Sequence, residues 1–488
     1  MIKKIAAALL AVIFIFPCFV KASFADNTTG NTDLNSISSK YAVLYEANSG
    51  SILFDKRAKD VAYPASTTKV LTAIIVLDLC QGNFLLGDIY EYFKNDTWTV
   101  PKGYNDREFT LDETIRVEKI ETRGSTLNPR ISEGEKMNLT DMLYGMMLVS
   151  GNDCARALAR HFSPDGELGG FAKLMNGYCK ELGAVNSTFY VPHGLHVDGS
   201  ENITTAYDMA LITAYALKNE TFREIVSTET YVIPATNRNS ARELENTNRL
   251  IHQKSDDTES YKYQYAIGVK TGDTDAAGRC IIAAAEKGDM LLIAVLFGDY
   301  ESSRIGSPRY VNSRLLFDYG FDNYSMVYAN EFDIPKEIEY EIKNSNLKTT
   351  SLKPDLSNVK ICINNSSRDE YKTNAKNFTY NISITNSDGV LTAPLKENEI
   401  VGKVEYLYNN KVIFKTKLLA SVDVAKSNGR ATVGVLKENE HSEDIQGYDW
   451  IFWLALVCLL LIIIIVLVIL FKQPVKRRNS QLRRRKRR

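Results

Sequence analysis

The sequence has few cysteines, and their arrangement excludes two common kinds of small domain. Seven are present, and Cys18 and Cys458 lie within apolar runs near the two ends. The remaining five are odd in number and widely spaced, which fits neither a disulfide framework nor a zinc ribbon. We expect most of these five to be small buried apolar residues: Cys80, Cys154, Cys179, Cys280 and Cys362.

Ligands for a metal ion or a phosphate group are also scarce. The chain contains five histidines, and His193 and His196 have no third ligand at a metal-binding spacing. We find no phosphate-binding glycine loop, no internal repeat and no low-complexity tract. We therefore expect no metal ion and no other cofactor.

The formal net charge is zero, from 59 basic and 59 acidic residues, but the basic residues are unevenly distributed. Ten lie in the C-terminal stretch 472–488 and three in residues 1–25, and neither stretch contains an acidic residue. Without these thirteen, 46 basic residues face 59 acidic ones, a net charge of about −13. This acidic balance argues against a nucleic-acid partner.

The N-terminus has the parts of a secretory signal peptide. Lys3 and Lys4 precede an apolar run over 5–20, and a short tail ends at Ala25. The alternative is an N-terminal membrane anchor, but the run is short for a span of about 20 residues. We predict a signal peptide over 1–25, with cleavage after Ala22 or Ala25.

A second apolar run, 451–471, contains no charged residue and is long enough to cross a hydrocarbon core of about 30 Å as a helix. Tyr448, Trp450 and Trp453 lie at one end, where aromatic rings prefer the headgroup level, and the basic tail 472–488 follows the other. A buried core helix would not explain this change in charge. We predict one transmembrane helix, a cytoplasmic tail that contacts anionic lipid, and an extracytoplasmic position for the preceding chain.

Residues 39–330 mix helical and strand-like patterns. A β-hairpin is predicted around Ala47-Asn48-Ser49-Gly50. Further strands are predicted over 265–271, 280–285 and 290–297, and helices over 66–79, 140–149 (capped by Thr140) and 204–217. This combination indicates an α+β fold, with helices packed on a mainly antiparallel sheet.

The pattern changes after Ile334 to short alternating strands, over 338–342, 359–363, 378–384 and 404–408, with turn residues such as Asn409-Asn410. They predict a small all-β domain over 334–435, followed by a polar linker over 436–450. Residues 82–130 are harder to interpret.

Ser66-Thr67-Thr68-Lys69 opens the first predicted helix. A spacing of three places Ser66 and Lys69 on one face, one turn apart. A serine nucleophile needs a base, and lysine can act as one if the helix N-terminus or a second cation lowers its pKa. The free N–H groups at a helix start can also hold an oxyanion. Taken alone this pattern is weak, because ordinary capped amphipathic helices contain it too.

Two further triplets favour a catalytic role for Ser66 and Lys69 over an ordinary capped helix. Ser150-Gly151-Asn152 follows the helix that ends at Val149, and Lys270-Thr271-Gly272 ends a strand. Glycine at position 272 allows another backbone to approach closely. The three pieces occur in the order and contexts used by serine acyl-transfer enzymes of the penicillin-recognising class.

With these motifs, the chain resembles the bacterial D-alanyl-D-alanine carboxypeptidases among the low-molecular-mass penicillin-binding proteins. The resemblance covers about 39–321, with matching blocks at 64–69, 133–134, 148–153, 192–195, 204–210, 246–248, 268–280 and 315–321. It implies a serine β-lactamase/transpeptidase-like catalytic domain over 39–330. The segment 334–435 resembles, more loosely, the family's membrane-proximal domain.

By this resemblance, Ser66 is the acylated nucleophile, Lys69 is its general base, and Ser150 relays a proton toward the leaving D-alanine. Backbone N–H groups of Ser66 and Asp273 would form the oxyanion hole. The implied substrate-binding residues are Asn152, Lys270, Thr271, Gly272, Asp273 and Arg309. The implied partners are peptidoglycan stem peptides that end in D-Ala-D-Ala and β-lactam antibiotics, which acylate the same serine.

The chain departs from the family pattern at several positions. Asp273 stands where the family usually has an aromatic residue or histidine, and its carboxylate would repel the substrate carboxylate unless the side chain points away. Arg309 is one residue from the usual position of the carboxylate-binding arginine, and Arg304 is the alternative. Cys154 replaces a common alanine. The stretch 82–130 is longer than usual and is interpreted as an insertion near the cleft.

Two other functions use overlapping features. A membrane-bound β-lactamase needs a dedicated deacylating carboxylate, which we cannot locate in the sequence. A catalytically silent wall-binding protein would not need a complete set of reactive residues. We therefore favour a serine D-alanyl-D-alanine carboxypeptidase at the bacterial cell membrane.

Overall fold

The computed structural model describes residues 34–427, except 97, 99, 102, 118–130, 196–198, 254–259, 301–306 and 387. The predicted signal peptide, linker, transmembrane helix and basic tail lie outside the described residues. Within the described part, no helix is both long enough and apolar enough to cross a membrane.

The strands, in chain order, are β1 (Tyr41–Glu46), β2 (Ser51–Lys56), β3 (Thr114–Arg116), β4 (Lys136–Asn138), β5 (Thr230–Ile233), β6 (Arg242–Glu245), β7 (Ala266–Thr274), β8 (Gly278–Lys287), β9 (Met290–Asp299), β10 (Tyr324–Tyr328), β11 (Ile338–Glu341), β12 (Thr349–Pro354), β13 (Lys360–Asn364), β14 (Phe378–Ile384), β15 (Ile400–Tyr408) and β16 (Lys411–Ala420). The α-helices are α1 (Lys69–Gln81), α2 (Ile89–Phe93), α3 (Leu139–Met147), α4 (Asn152–Phe162), α5 (Leu168–Glu181), α6 (Ala206–Ala216), α7 (Glu220–Ser227), α8 (Pro308–Asn323) and α9 (Arg368–Thr373).

The main sheet has five strands in the order β2-β1-β9-β8-β7, and every neighbouring pair is antiparallel. This confirms the predicted hairpin and the three strands predicted over 265–297. Alternate side chains face opposite sides of the sheet. In β1, Val43 and Tyr45 belong to the core shared with α1 and α3–α7, whereas Ala42 and Leu44 pack with α8. Because helices cover both faces, every residue of β9 except Gly298 is buried.

The helix that follows Ser66 is the centre of the larger core. Ten of the 13 residues of α1 are buried, from Lys69 to Asp78. Ser66 itself lies in a tighter 3-10 turn, Ala65–Thr68, and the α-helix begins at Lys69. The predicted helix 66–79 is therefore right in position, but its first turn has different geometry.

The cap of α3 is not the predicted Thr140. The side chain of Asn138 accepts a hydrogen bond from the Thr140 N–H at 2.8 Å, so the helix begins one residue earlier, at Leu139. Asparagine is among the residues preferred at this position. Asp141 lies in the first turn, as expected.

A second core lies in the C-terminal part of the described chain. Its antiparallel sheet has the order β11-β12-β16-β15-β14. The strands predicted over 338–342, 378–384 and 404–408 belong to it, but β12 and β16 were not predicted. The strand predicted over 359–363 forms a separate pair with β10. Asn409 and Asn410 both have positive φ, 49° and 63°, which is the geometry of a type I′ hairpin turn between β15 and β16.

This part is not purely β, because it contains the short helix α9. Main-chain pairing of β10 with β13 also crosses the predicted boundary between 39–330 and 334–435. The domain limits read from the sequence remain predictions.

The described residues of 82–130 form α2, a 3-10 turn at Tyr104–Asp106 and β3. They pack beside α4 and α5: the Tyr104 hydroxyl donates to the carbonyl of Phe162, and the Tyr92 hydroxyl donates to Glu181 at 2.9 Å. An insertion near the cleft stays a prediction. The five cysteines of the described part are unpaired; Cys154, Cys179 and Cys280 are buried and the other two are half-buried.

Candidate active site

Two glycines allow the turn that carries Ser66 to lie tightly between two other segments. A Cβ on Gly272 of β7 would be 3.0 Å from the Ser66 nitrogen and 3.1 Å from the Cβ of Ala65. Gly194 has φ of 79°, and a Cβ there would be 1.8 Å from the Ala65 carbonyl oxygen. The close backbone approach predicted at Gly272 is therefore present, and Gly194 provides a second one.

Lys69 is fully buried and contacts three acceptors. Its Nζ lies 2.9 Å from Ser66 Oγ, 2.7 Å from Asn152 Oδ1 and 3.0 Å from the carbonyl oxygen of His193. A neutral lysine amine keeps two N–H bonds and one lone pair. It can therefore keep donating to Asn152 and to the His193 carbonyl while its lone pair accepts the hydroxyl proton of Ser66.

The surroundings of Lys69 favour this neutral form. Burial lowers its pKa well below the usual value, and the positive charges of Lys270 and Arg156 lower the pKa further. The carboxylate of Asp153 opposes this shift. The site thus contains a serine hydroxyl and, at hydrogen-bond distance, an amine that becomes neutral at a lower pH than an ordinary lysine and can then accept the serine proton.

The Ser150-Gly-Asn152 triplet joins α3 to α4. Ser150 has φ of 65°, in the left-handed region, and the Gly151 N–H donates to the Gly145 carbonyl at 3.0 Å. Asn152 is the first residue of α4, is buried, and contacts Lys69 directly. The structure therefore brings Asn152 to Ser66 and Lys69, with the partly exposed Ser150 in the turn just before it.

Lys270 and Thr271 lie on β7, beside the Ser66 turn. Lys270 is buried, its Nζ donates to the Thr271 carbonyl at 3.0 Å, and burial, with a contribution from the charge of Arg309, lowers its pKa to about 7. The hydroxyl oxygens of Thr271 and Thr247 are 2.9 Å apart. A cation and a hydroxyl on one strand can together bind a carboxylate.

Arg309, at the start of α8, is also part of this region. Its Nη1 donates to the Gly272 carbonyl at 3.2 Å, and its guanidinium stacks over the Tyr310 ring at 5.0 Å. The structure thus brings Arg309 to β7 despite its unusual spacing in the sequence. The alternative, Arg304, lies outside the described residues.

Asp273 forms an ion pair with Arg279, the residue directly opposite it on β8. Asp273 and Thr271 are two residues apart on one strand, so their side chains leave the same face of the sheet. Pairing with this cation neutralises the carboxylate, which reduces like-charge repulsion of a substrate carboxylate.

Three residues outside the sequence motifs also lie at this site. The His193 carbonyl holds Lys69, Arg156 lowers the pKa of Lys69, and Thr247 contacts Thr271. His193 and Thr247 lie in the blocks 192–195 and 246–248, which resemble the family, so the sequence carries a signal for two of the three residues. Among the described residues, no three His, Cys, Asp or Glu side chains form a cluster that could hold a metal ion.

Comparison with known proteins agrees with this geometry. The D-alanyl-D-alanine carboxypeptidase family of peptidases matches residues 26–99 and 99–301, more than half of the chain. The chain belongs to this family. It is therefore a serine-type peptidase, as the sequence predicted.

Individual relatives support the assignment. D-alanyl-D-alanine carboxypeptidase DacF of Bacillus subtilis is 30% identical over 325 residues, which cover 66% of this chain and 72% of that protein. D-alanyl-D-alanine carboxypeptidase DacC of Escherichia coli is 28% identical over 426 residues, which cover 84% and 90%.

The fold has a solved counterpart. Penicillin-binding protein 5 from Haemophilus influenzae superposes with a TM-score of 0.57 at 24% identity, over 80% of this chain and 98% of that one. Residues 340–426 match the C-terminal domain of penicillin-binding protein 5. The chain thus has the penicillin-binding protein fold, an α/β catalytic part followed by a β-rich part.

Proposed function

We propose that this enzyme removes the terminal D-alanine from peptidoglycan stem peptides that end in D-Ala-D-Ala, through an acyl-enzyme on Ser66. The observation that carries the proposal is the buried Lys69 amine, 2.9 Å from the Ser66 hydroxyl and with a lowered pKa. The names of the relatives supply the substrate class.

In the acylation step, neutral Lys69 takes the Ser66 proton while Ser66 Oγ attacks the carbonyl carbon of the penultimate D-alanine. The N–H groups of Ser66 and Asp273 stabilise the oxyanion that forms. The C–N bond then breaks, and the proton on Lys69 passes through Ser150 to the leaving D-alanine amine, which returns Lys69 to its neutral form. Water next attacks the ester, with Lys69 again as base, which releases the shortened peptide and restores Ser66.

The terminal carboxylate is the group that identifies the substrate. We assign its recognition to Lys270, Thr271 and Arg309, which are held around β7 by the contacts described above. Asn152 would hydrogen-bond the substrate backbone as well as Lys69. Gly272 leaves room for the substrate chain and for Ser66. A β-lactam, which also carries a carboxylate near its reactive carbonyl, fits the same arrangement.

We also propose that the enzyme acts outside the cytoplasmic membrane of a bacterium and is anchored by residues 451–471. The support is the apolar run, the aromatic residues before it and the ten basic residues after it. In this topology the C-terminal tail contacts anionic lipid on the cytoplasmic side.

The deciding experiment combines a fluorescent penicillin with a D-alanine release assay. Wild-type protein should form a long-lived covalent adduct and release D-alanine from a peptide ending in D-Ala-D-Ala, and folded Ser66→Ala should do neither. Ser227→Ala, which removes an exposed hydroxyl that contacts the Glu224 carbonyl, is the matched control. Rapid turnover of penicillin would instead indicate a β-lactamase, and no adduct at all would indicate a silent binding protein.

A further inference from the structure

Thr247 connects three segments of the site, although it belongs to none of the three sequence motifs. Its N–H and its hydroxyl both donate to the carbonyl of Leu148, at 3.0 and 2.9 Å, just before the Ser150 turn. Its hydroxyl oxygen lies 2.9 Å from that of Thr271 on β7. The Tyr310 hydroxyl on α8 donates to the Thr247 carbonyl at 3.0 Å.

The hydrogen bonds of the two threonines can be arranged in two ways. A hydroxyl has one proton to donate and two lone pairs to accept with. When Thr247 donates to the Leu148 carbonyl, Thr271 must donate to Thr247. When Thr247 donates to Thr271 instead, the Thr271 proton becomes free for a ligand.

The second arrangement costs little, because no buried group loses its last partner. The Leu148 carbonyl still accepts from the Thr247 N–H at 3.0 Å after the hydroxyl turns away. An unsatisfied buried carbonyl would have made the change unfavourable. The double contact to Leu148 thus leaves the Thr247 hydroxyl able to reorient.

We propose that Thr247 is a positioning residue for carboxylate recognition. It accepts the Thr271 proton in the free enzyme and donates to Thr271 when the substrate carboxylate binds, so that Thr271 can donate to that carboxylate. Charge at the end of such a chain polarises both hydrogen bonds and strengthens them. This inference rests on the proposed function, in which Thr271 contacts the terminal carboxylate.

The test compares two peptides on the full-length chain, one ending in D-Ala-D-Ala and one ending in D-Ala-D-Ala-amide. Wild type should prefer the free acid. Thr247→Val keeps the shape but removes the hydroxyl, and should lower the acid-to-amide ratio of kcat/KM about tenfold, or about 1.4 kcal/mol. The loss should appear mainly in KM, and Thr247→Ser should restore the ratio.

If Thr247 only stabilised the packing of these segments, Thr247→Val would change kcat/KM for both peptides by the same factor. Thr213→Val is the matched control, because that buried hydroxyl donates to the Met209 carbonyl within α6. Three results would overturn the inference: an unchanged acid-to-amide ratio in folded Thr247→Val, a ratio that folded Thr247→Ser does not restore, or an equal change of the ratio in Thr213→Val. If Thr247→Val does not fold, Thr247→Ala is tested by the same ratio. If the wild-type protein releases no D-alanine, the proposed function itself is refuted. If it releases D-alanine but does not prefer the peptide acid over the amide, the contact of Thr271 with the carboxylate is refuted, and this inference with it.

Discussion

The side-chain nitrogen of Lys69 lies 2.9 Å from the hydroxyl oxygen of Ser66, and its two other contacts are the Asn152 side chain and the His193 carbonyl. These two oxygens can hold the amine whether or not it is protonated. The lone pair of the neutral amine is then directed at Ser66. The neutral form of the amine and its orientation therefore come from different parts of the surroundings: burial with nearby cations lowers the pKa, and the two oxygens orient the nitrogen.

Replacing Lys69 by arginine should nearly abolish acylation. Arginine keeps the positive charge, but its guanidinium does not lose a proton at ordinary pH, so it cannot accept one from Ser66. We expect the rate constant for labelling by fluorescent penicillin to fall by a factor of about 10² to 10⁴. Lys173→Arg, at the ion pair with Asp96, is the matched control and should label like wild type. Near-normal labelling of Lys69→Arg would remove Lys69 from the role of base.

Gly272→Ala should slow acylation without unfolding the protein. The added methyl group would lie 3.0 Å from the Ser66 nitrogen and 3.1 Å from the Cβ of Ala65, so the Ser66 turn must shift by a few tenths of an ångström. Small displacements of reacting groups have large effects on rate, and we expect a loss of at least about tenfold.

Gly169→Ala on α5 is the control, because nothing lies within 4 Å of a Cβ there. It should leave the labelling rate unchanged and raise helix stability by up to about 1 kcal/mol. Equal labelling rates for the two variants, with both folded, would contradict the close-approach argument.

Lys270→Met should stabilise the fold at low pH and inactivate the enzyme. Burial lowers the Lys270 pKa from 10.5 to about 7, so the folded state carries the charge at a cost. The full cost applies below pH 7, where Lys270 is protonated in both the folded and the unfolded state. Between pH 7 and 10.5 the unfolded state binds more protons than the folded state, so the cost falls as the pH rises. Above pH 10.5 the side chain is neutral in both states and the cost is absent. The gain in free energy of unfolding should be a few kcal/mol, on the order of the pKa shift, at pH 6.

Urea unfolding of wild type and Lys270→Met at pH 6, 8 and 10 measures this gain. Lys262→Met, at the exposed pair with Glu229, should show no comparable trend. A gain that does not shrink between pH 6 and pH 10 would mean that apolar packing, not the buried charge, is responsible.

The ion pair of Asp273 and Arg279 should affect substrate affinity, and the effect of replacing Arg279 should depend on whether Asp273 is present. Arg279→Ala leaves the Asp273 carboxylate unpaired about 7 Å along the strand from Thr271. We expect KM for the peptide acid to rise about three- to tenfold, less at high salt because both side chains are partly exposed. Adding Asp273→Asn to Arg279→Ala should restore KM, because the repelling charge is gone. If the double variant has the same raised KM as Arg279→Ala alone, Arg279 affects substrate binding by a route other than neutralising Asp273.

The proposed membrane anchor, residues 451–471, should control location and not chemistry. A chain that lacks the predicted signal peptide and ends before Gln446 should be soluble and should still release D-alanine from a short peptide. Loss of activity in that folded protein would place part of the site in the removed segment. In sealed cells the basic tail should resist external protease, and its digestion from outside would refute the predicted orientation.

Local sequence determined a large part of this protein. Strand alternation and turn residues predicted the β1–β2 hairpin, the strands β7–β9 and the Asn409-Asn410 turn, because side-chain period and positive φ are local properties. The three triplets predicted candidate reactive residues, because their spacing along helix and strand is also local, and the chemical roles of these residues stay predictions. Local patterns do not predict β12, β16 or the helix α9, and they place the cap of α3 at Thr140, whereas the structure has it at Asn138.

Only the tertiary structure decided how these pieces act on one another. Asn152 and His193 lie 83 and 124 positions from Lys69 in the sequence, and they provide the oxygens that hold its side-chain nitrogen. Thr247 bridges Leu148 and Thr271, which are 99 and 24 residues away in the sequence, through pairings that no local pattern specifies. The pKa of Lys69 depends on burial and on charges from distant segments. Such quantities exist only when the chain has folded, so the sequence could name the candidate reactive groups but not the environment that we propose activates them.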